Sequence, residues 1–526
     1  MRKGITLIFL LVLTSSSIAE SEVPYTLINL NSLDPSATKL YTKFDQNGLL
    51  HFLYLTGDQM DFVTQEPTPA STSELSSNYT LVYGYLGGGR VIFSENVSQN
   101  VGAYHYNLQF DSKNNAHTTF ISTNYTLIYA TRNDQSTQWT FTTLTTASDW
   151  FSFAPSIEIG TNDEPRIVYA AQYNEDGAGY WGYNGELISS QAIHYTLLTD
   201  NDWLFFDITN NNNPLLASHR SQARLIVTNP NLVIKDQQAY VTFSKKNQLA
   251  AESSIQIVQF SELPSTSEGD SETGYFSDAT SKLVASSTIT TVYTRSDIEF
   301  LSNLEQGRTG LVVVFGSWNY GGANLAYYES DTKTSQNIQM VNLEIDLSLR
   351  AAPVLSMDIE YNLEADKFLA VWSVYDLFSQ GDNGFTFDIR IGEIASEAFA
   401  DFDLSIDRST ETEFDTGRVT DTINKFHIYP NLEQNSDGEW LITFLSNDDE
   451  YTLSDGTFTE RSSVAESSTS AILLPPANSE TSSISNDARQ ISTVSVDFPL
   501  RVWFIFSGLV ILALTKQTRK LHSRVC

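Results

Sequence analysis

Three closely spaced aromatic residues are the candidates for ligand contact in this sequence. Tyr180, Trp181 and Tyr183 lie within the glycine-rich stretch AGYWGYNG. If their rings are exposed, they could stack on the rings of a sugar. Ordinary packing within a loop is the other interpretation of the same residues.

No familiar catalytic or metal-binding motif accompanies these aromatic residues. The seven histidines form neither a His-x-His nor a His-Glu-x-x-His pair, so the spacing of a zinc site is missing from the sequence. Neither Gly-x-Ser-x-Gly nor Gly-x-x-x-x-Gly-Lys occurs, so a serine-hydrolase elbow and a phosphate-binding loop are not indicated. His51 and His117 occupy equivalent positions in two repeats described below, which indicates a structural or solvent-facing role.

Acidic residues dominate the charge of the chain. There are 63 Asp and Glu against 30 Lys and Arg, a net charge of -33 at pH 7. Such a surface repels nucleic-acid phosphates and anionic membranes, so we expect no nucleic-acid partner. The acidic residues act either as a solubility coat or as ligands for multivalent cations.

Calcium is the one cofactor that two acidic stretches could bind. Residues 173–186 and 446–456 concentrate the oxygen ligands that calcium prefers, although neither has the Asp-x-Asp-x-Asp-Gly spacing. Solvated loops are the alternative interpretation of both stretches.

A hairpin pattern recurs along the chain. The segment PSIEIGTNDEPRIVY from Pro155 aligns without a gap with PNLEQNSDGEWLITF from Pro430. Each copy predicts an alternating strand, a turn rich in Asn, Asp and Gly, and a more continuously apolar second strand. Five further copies differ mainly in their turns: KFDQNGLLHFLY, QFDSKNNAHTTF, PNLVIKDQQAYVTF, GRTGLVVVF and APVLSMDIEYNLEADKFLAVW.

The spacing of these copies predicts the fold. Their second strands end on aromatic residues at positions 54, 120, 169, 243, 315, 372 and 444, roughly 65 residues apart, which leaves room for four strands in each interval. We therefore predict an all-β fold, a six- or seven-bladed β-propeller formed by residues 20–460. A pair of β-sandwiches is the alternative.

The hairpins loosely resemble the repeats of the sialidase-like, BNR-type secreted propellers over residues 30–460. The stretch NSDGEW at 435–440 is similar to the Ser-x-Asp-x-Gly-x-x-Trp box of that class, of which no intact copy occurs. The resemblance implies a propeller and, as a second function, hydrolysis of glycosides. Arg166 in EPRIVY is a weak counterpart of the arginine that sialidases use, and other propeller glycosidases use two or three carboxylates in the central funnel.

The N-terminus and residues 461–495 predict export and a spacer. Arg2 and Lys3 precede an apolar run at 5–13, and cleavage after Ala19 would remove a signal peptide at residues 1–19. Residues 461–495 are rich in Ser and Thr, which predicts a flexible linker. The one cysteine, Cys526, permits no disulfide within the chain.

Residues 496–526 predict a C-terminal hydrophobic helix followed by a basic, cytoplasmic tail. This segment resembles the PEP-CTERM sorting signals of Gram-negative bacteria. The matching residues are Val496, Pro499, Val502, Trp503, Ser507, Gly508, Leu509 and Leu512. The resemblance implies a bacterial protein that is anchored in the membrane or sorted to the cell envelope, the cell surface or the extracellular matrix. A eukaryotic type I membrane protein is the alternative.

Together these features predict an exported, membrane-tethered or surface-sorted propeller that binds an extracellular glycan or protein. The alternative is a glycoside hydrolase or lyase that acts on extracellular polysaccharide.

Overall fold

The structure is a computed structural model of the chain. It describes residues 26–29, 40–56, 79–87, 90–133, 138–145, 150–173, 191–199, 202–208, 225–247, 252–263, 280–288, 293–303, 308–317, 323–329, 338–342, 354–362, 366–376, 386–395, 414–418, 426–435, 440–447, 451–454, 457–460 and 467–474. The chain divides into two compact units, Met1–Ser485 and Asn486–Cys526, and every described residue belongs to the first.

All the described elements are β-strands. β1 is Thr26–Asn29, and the sheet that follows contains β2 (Tyr41–Phe44), β3 (Leu50–Thr56), β4 (Tyr79–Gly87), β5 (Arg90–Phe110), β6 (Ala116–Ser122), β7 (Leu127–Arg132) and β8 (Thr140–Thr143). The next sheet contains β9 (Trp150–Ile159), β10 (Pro165–Tyr173), β11 (Gln191–Thr199) and β12 (Asp202–Asp207). It is followed by a sheet of β13 (Leu225–Lys235), β14 (Gln238–Asn247), β15 (Glu252–Ser261) and β16 (Thr280–Thr288).

Two further sheets and a separate hairpin complete the described fold. A fourth sheet contains β17 (Tyr293–Asn303), β18 (Arg308–Ser317), β19 (Ala323–Glu329) and β20 (Ile338–Asn342). The last sheet contains β21 (Val354–Asn362), β22 (Lys367–Asp376), β23 (Thr386–Ala395), β24 (Phe414–Arg418), β25 (Phe426–Gln434), β26 (Trp440–Asn447), β29 (Ser467–Leu474) and β1. A separate hairpin is formed by β27 (Tyr451–Ser454) and β28 (Thr457–Glu460).

These sheets are the blades of a β-propeller. The strands β2, β5, β9, β13, β17, β21 and β25, called the inner strands below, contact one another in succession, and β25 contacts β2. The ring is therefore closed, and the alternative of two β-sandwiches is wrong. β1 pairs with β29, so the last blade joins the two ends of the described chain.

The number of separate blades differs from the prediction. The described strands form five blades rather than six or seven, because two of the blades hold seven and eight strands. β5 is 21 residues long and pairs with both β4 and β6, which joins two groups of strands into one sheet. In the last blade, β23 and β25 are joined through the pair Phe387 and Phe426.

The repeated hairpins are confirmed. Each second strand lies directly beside an inner strand. It continues two to four residues beyond the aromatic residue that was predicted to end it. That aromatic residue is buried in every copy: Tyr54, Phe120, Tyr169, Phe243, Phe315, Trp372 and Phe444. Such residues pack between neighbouring blades. For example, Ile121 and Tyr129 of one blade form a cluster with Ile157 and Tyr169 of the next. Burial of these apolar strands on both faces is the main favourable contribution to the free energy of packing between adjacent blades.

The prolines that begin several copies mark irregular points in the inner strands. The pairing of β9 with β10 and of β25 with β26 shifts next to Pro155 and Pro430. Ala154 and Tyr429, which precede these prolines, have positive φ values of 46° and 54°. A bulge accommodates proline because the interrupted ladder needs no donor from its nitrogen.

One predicted boundary is corrected by β29. Residues 467–474 were expected to belong to the flexible linker, but they pair with β26 on one side and β1 on the other. In this pairing Ile472 and Leu473 are the register partners of Ile442 and Leu441. The signal peptide, the rest of the predicted linker and the C-terminal segment lie outside the described residues. Within the described part of the chain, no helix is long and apolar enough to span a membrane.

Candidate functional site

The first hairpin is closed by an aspartate and a histidine. Asp45 Oδ1 accepts hydrogen bonds from the backbone N–H groups of Asn47 and Leu49, at 2.9 and 2.8 Å. His51 lies across the turn, with Nε2 at 3.5 Å from Asp45 Oδ2 and Nδ1 at 2.7 Å from the hydroxyl of Tyr83. The aspartate therefore shapes the turn, and the histidine ties it to the third strand.

The second copy repeats this arrangement. Asp111 accepts from two backbone N–H groups of its own turn, and His117 lies 3.5 Å from Asp111 and 2.6 Å from the hydroxyl of Tyr129. The exposed fractions of His51 and His117 are 7% and 6%, so a ligand in solvent does not reach them. The structural role is thus confirmed, and the solvent-facing one is not.

The third copy achieves the same closure with different residues. Gly160 and Arg166 stand where the earlier copies have aspartate and histidine, and the carboxylate comes from Glu262 of the next blade. Arg166 Nε lies 3.1 Å from Glu262 Oε1, and both side chains are fully buried. A Cβ on Gly160 would lie 2.1 Å from that oxygen, so the glycine makes room for Glu262. Arg166 is therefore a structural residue and not a substrate-binding arginine of the sialidase kind.

We expect His117 to make stability depend on pH. Burial lowers its pKa from the usual 6.5, so the unfolded chain takes up a proton first as the pH falls. Stability should therefore decrease below about pH 6.5. In His117→Gln this part of the dependence should vanish, which thermal midpoints between pH 5 and 7.5 would detect as a flatter slope than that of the parent. Parallel slopes would contradict the assignment.

A different set of side chains lies at one end of the ring. Lys43 of β2, Gln109 of β5, Glu158 of β9 and Glu433 of β25 each stand two residues before the start of their hairpin turn, and Glu360 of β21 stands three residues before it. These five residues therefore lie near the same end of five inner strands. Because inner strands surround the axis of a propeller, these five residues converge, and we call them the axial cluster.

The contacts within the axial cluster connect distant parts of the chain. Lys43 Nζ lies 3.2 Å from Glu433 Oε1 and 3.5 Å from Glu360 Oε1. Gln109 Nε2 donates to Glu158 Oε1 at 2.9 Å. The side chains of Lys43 and Glu360 are 25% and 24% exposed, whereas that of Glu433 is 5% exposed. Solvent and solutes can therefore reach a cluster that lies on the innermost strands.

A second layer of hydrogen bonds fixes these strands. Asp358 Oδ2 accepts from the backbone N–H of Leu432 at 2.6 Å and from Asn431 Nδ2 at 2.9 Å. Asn431 Oδ1 in turn accepts from the backbone N–H of Thr42 at 2.7 Å. β2, β21 and β25 are thereby held together immediately next to Lys43, which restricts the positions of the axial side chains.

The ionisation of the axial cluster is strongly perturbed. Burial raises the pKa of Glu158 to about 7, against the opposing effect of Lys43. Burial likewise raises the pKa of Glu360 and that of Glu433, and Lys43 again opposes it. Burial alone would lower the pKa of Lys43, but the carboxyl groups of Glu433 and Glu360 hold it well above its usual value. At neutral pH, Lys43 is a cation and Glu158 exchanges its proton readily, so the cluster can donate and accept protons.

The predicted calcium sites remain predictions. Within the described residues, no group of three or more His, Cys, Asp or Glu side chains could hold a metal ion. Of the two acidic stretches, 173–186 is described at residue 173 alone, and 446–456 at 446–447 and 451–454.

The aromatic candidates also stay untested, because Tyr180, Trp181 and Tyr183 lie outside the described residues. The sorting residues from Val496 to Leu512 also lie outside the described residues.

The axial cluster was not predicted, although a signal for it exists in the sequence. The residue two before the turn is Lys43, Gln109, Glu158 or Glu433 in four of the copies, so comparison of that position among the repeats would have found four of the five members.

No protein-family model matches this chain, and no curated protein sequence is significantly similar to it. The sialidase-like and PEP-CTERM resemblances therefore remain predictions. Among solved structures, a lectin of Burkholderia pseudomallei is 9% identical, with a TM-score of 0.38 over 81% of this chain and 98% of its own. The propeller domain of a protease from Pyrococcus furiosus is 7% identical, with a TM-score of 0.38 over 81% and 96%. An α-L-arabinofuranosidase of Fusarium graminearum is 10% identical, with a TM-score of 0.39 over 67% and 93%.

Proposed function

We propose that this protein is a carbohydrate-binding β-propeller that holds its glycan at the axial cluster. The observation that carries the proposal is the convergence of Lys43, Gln109, Glu158, Glu360 and Glu433 at a solvent-accessible point of the ring. Carboxylates accept hydrogen bonds from sugar hydroxyls, while the ammonium and amide groups donate them. These side chains project from strands, which orient polar groups more rigidly than loops do.

We expect Glu360→Gln to weaken glycan binding about tenfold, because a neutral amide accepts a weaker hydrogen bond than a carboxylate. A glycan array on the full chain would identify the ligand, and titration calorimetry would then measure the affinity. Glu393→Gln is the matched control, since Glu393 also pairs with a lysine, Lys367, but on the third strand of its group. A glycan that binds both variants with equal affinity would place its site away from the axis.

Hydrolysis of the bound glycan is the second candidate function. It is favoured by Glu158, because a pKa of about 7 leaves both its protonated and its ionised form populated at neutral pH, beside the carboxyl groups that pair with Lys43. One protonated and one ionised carboxyl group are what acid-catalysed glycoside cleavage needs. Release of reducing ends by the full chain, lost in Glu158→Gln while binding persists, would support hydrolysis. Binding without release would support recognition alone.

We also propose that the ring contains seven repeat groups of strands, of which four are merged pairwise in the two large blades. The seven inner strands that contact one another around the axis support this number. Export, a membrane tether at residues 496–526 and sugar contact by Tyr180, Trp181 and Tyr183 belong to the same proposal and rest on the sequence. Fractionation of cells that express the full chain tests the tether.

A further inference from the structure

The charges at the axial cluster are unbalanced. Lys43 is the one cation among the side chains described there, whereas Glu158, Asp358, Glu360 and Glu433 each bring a carboxyl group. Two of these groups, those of Glu360 and Glu433, share the single ammonium. Glu158 lies close enough to interact electrostatically with both Lys43 and Glu360, and its described hydrogen-bond donor is the neutral amide of Gln109.

Among the described residues, a hydrogen-bond acceptor on the same face of β5 also lacks a donor. Asn107 stands two residues before Gln109 on β5, so both side chains project to the same side of the strand. Asn107 Oδ1 is buried and has no hydrogen-bond partner among the described residues. A buried acceptor without a donor is costly, and it favours a ligand that brings N–H groups into the site.

Lys43 itself shows how this site holds an ammonium group. Its Nζ lies between two carboxylates, at 3.2 and 3.5 Å, and remains partly accessible to solvent. A second ammonium group beside Glu158 and Glu360 would find the same kind of environment. It would offset the mutual repulsion of these carboxylates, which protons now relieve. A carboxylate on the ligand would increase that repulsion.

We propose that the axial cluster selects glycans that carry free amino groups, such as de-N-acetylated hexosamine polymers, over neutral and acidic glycans. The proposal rests on the proposed function, since it assumes that the axial cluster is the glycan site. It adds that the charge of the sugar, and not its hydroxyl pattern alone, determines what binds.

Titration calorimetry of the full chain with three chemically defined pentasaccharides tests this selectivity. The probes are a pentamer of glucosamine, its fully N-acetylated counterpart and a pentamer of galacturonate, all at about pH 7, where the ionised form of Glu158 is present. We expect the glucosamine pentamer to bind at least tenfold more tightly than the acetylated one and the galacturonate pentamer not to bind. Glu360→Gln should reduce the preference to about threefold or less, and Glu393→Gln should leave it unchanged.

The variants separate selection at the axis from general attraction, since a chain with net charge -33 attracts any cation. A preference that survives in Glu360→Gln would overturn the inference, because it would come from the acidic surface. Equal binding of the acetylated and free-amine pentamers would overturn the inference and leave glycan binding in place. If none of the pentamers binds, the inference fails, and the glycan array on the full chain then decides the proposed glycan site separately.

Discussion

Replacement of Arg166 by methionine should lower the free energy of unfolding by about 3–5 kcal/mol, the largest effect that we expect from one substitution. Arg166 and Glu262 are both fully buried, and they join β10 to the next blade. Removal of the guanidinium group would leave the carboxylate of Glu262 in the interior with the hydroxyl and N–H of Thr161 as its nearest donors. A shift of the urea midpoint, with the slope unchanged, measures the loss.

The double variant Arg166→Met/Glu262→Leu distinguishes the charge from the packing. If the unpaired carboxylate causes the loss, removal of both charges should restore most of the stability. An equally unstable double variant would show instead that the shape of the arginine is what the fold requires.

The earlier copies suggest a stricter test of the same site. Tyr195 stands in the third copy where Tyr83 and Tyr129 stand in the first two, because each lies two residues before the strand partner of Arg166, His51 or His117. A triple variant, Gly160→Asp with Arg166→His and Glu262→Ala, would recreate the closure of the first two copies. It should be more stable than Arg166→Met alone.

Replacement of Lys43 by methionine should lower the free energy of unfolding by about 2 kcal/mol. The substitution leaves Glu360 and Glu433 close together without their cation, and Glu433 is 5% exposed. The loss is smaller than at Arg166, because Lys43 is 25% exposed and solvent screens part of its interaction. Differential scanning calorimetry at several pH values would show a loss that grows as the pH rises, because the carboxyl groups near Lys43 then ionise.

Lys367→Met provides the control for Lys43. Lys367 also forms an ion pair with a glutamate, Glu393, but it is 36% exposed, and surface pairs contribute about 1 kcal/mol or less. Equal losses in the two variants would mean that the position of Lys43 on an inner strand has no special effect.

The local patterns predicted the hairpins well. The turn residues Asp45 and Asp111 were recognisable because aspartate caps the N–H groups of its own turn, which is an interaction within five residues. The second strands were recognisable because a strand buried on both faces must be apolar throughout, as Leu311–Phe315 is. Both signals depend on neighbours in sequence, so no knowledge of the ring was needed.

The interactions that cross the ring were not recognisable in this way. Lys43 meets Glu433 across 390 residues of chain, and Arg166 meets Glu262 across 96. No pattern among so many acidic residues indicated which of them would approach a given cation. The strand β29 was missed for a related reason, because its eight residues are mostly Ser, Thr and short apolar side chains, and pairing with β1 and β26 determines their structure.

The sequence by itself therefore determined the repeated unit: an aspartate- or asparagine-rich turn between two strands, with a buried aromatic residue in the second. The tertiary structure decided how these units join into five blades, which end of the chain closes the last one and which charges meet at the axis. The physical reason is the range of the interactions. Turn geometry and strand burial depend on residues that are close in sequence, so they produce recognisable local sequence patterns. Closure of the ring brings together groups whose separation along the chain has no fixed value, so no local pattern predicts their contacts.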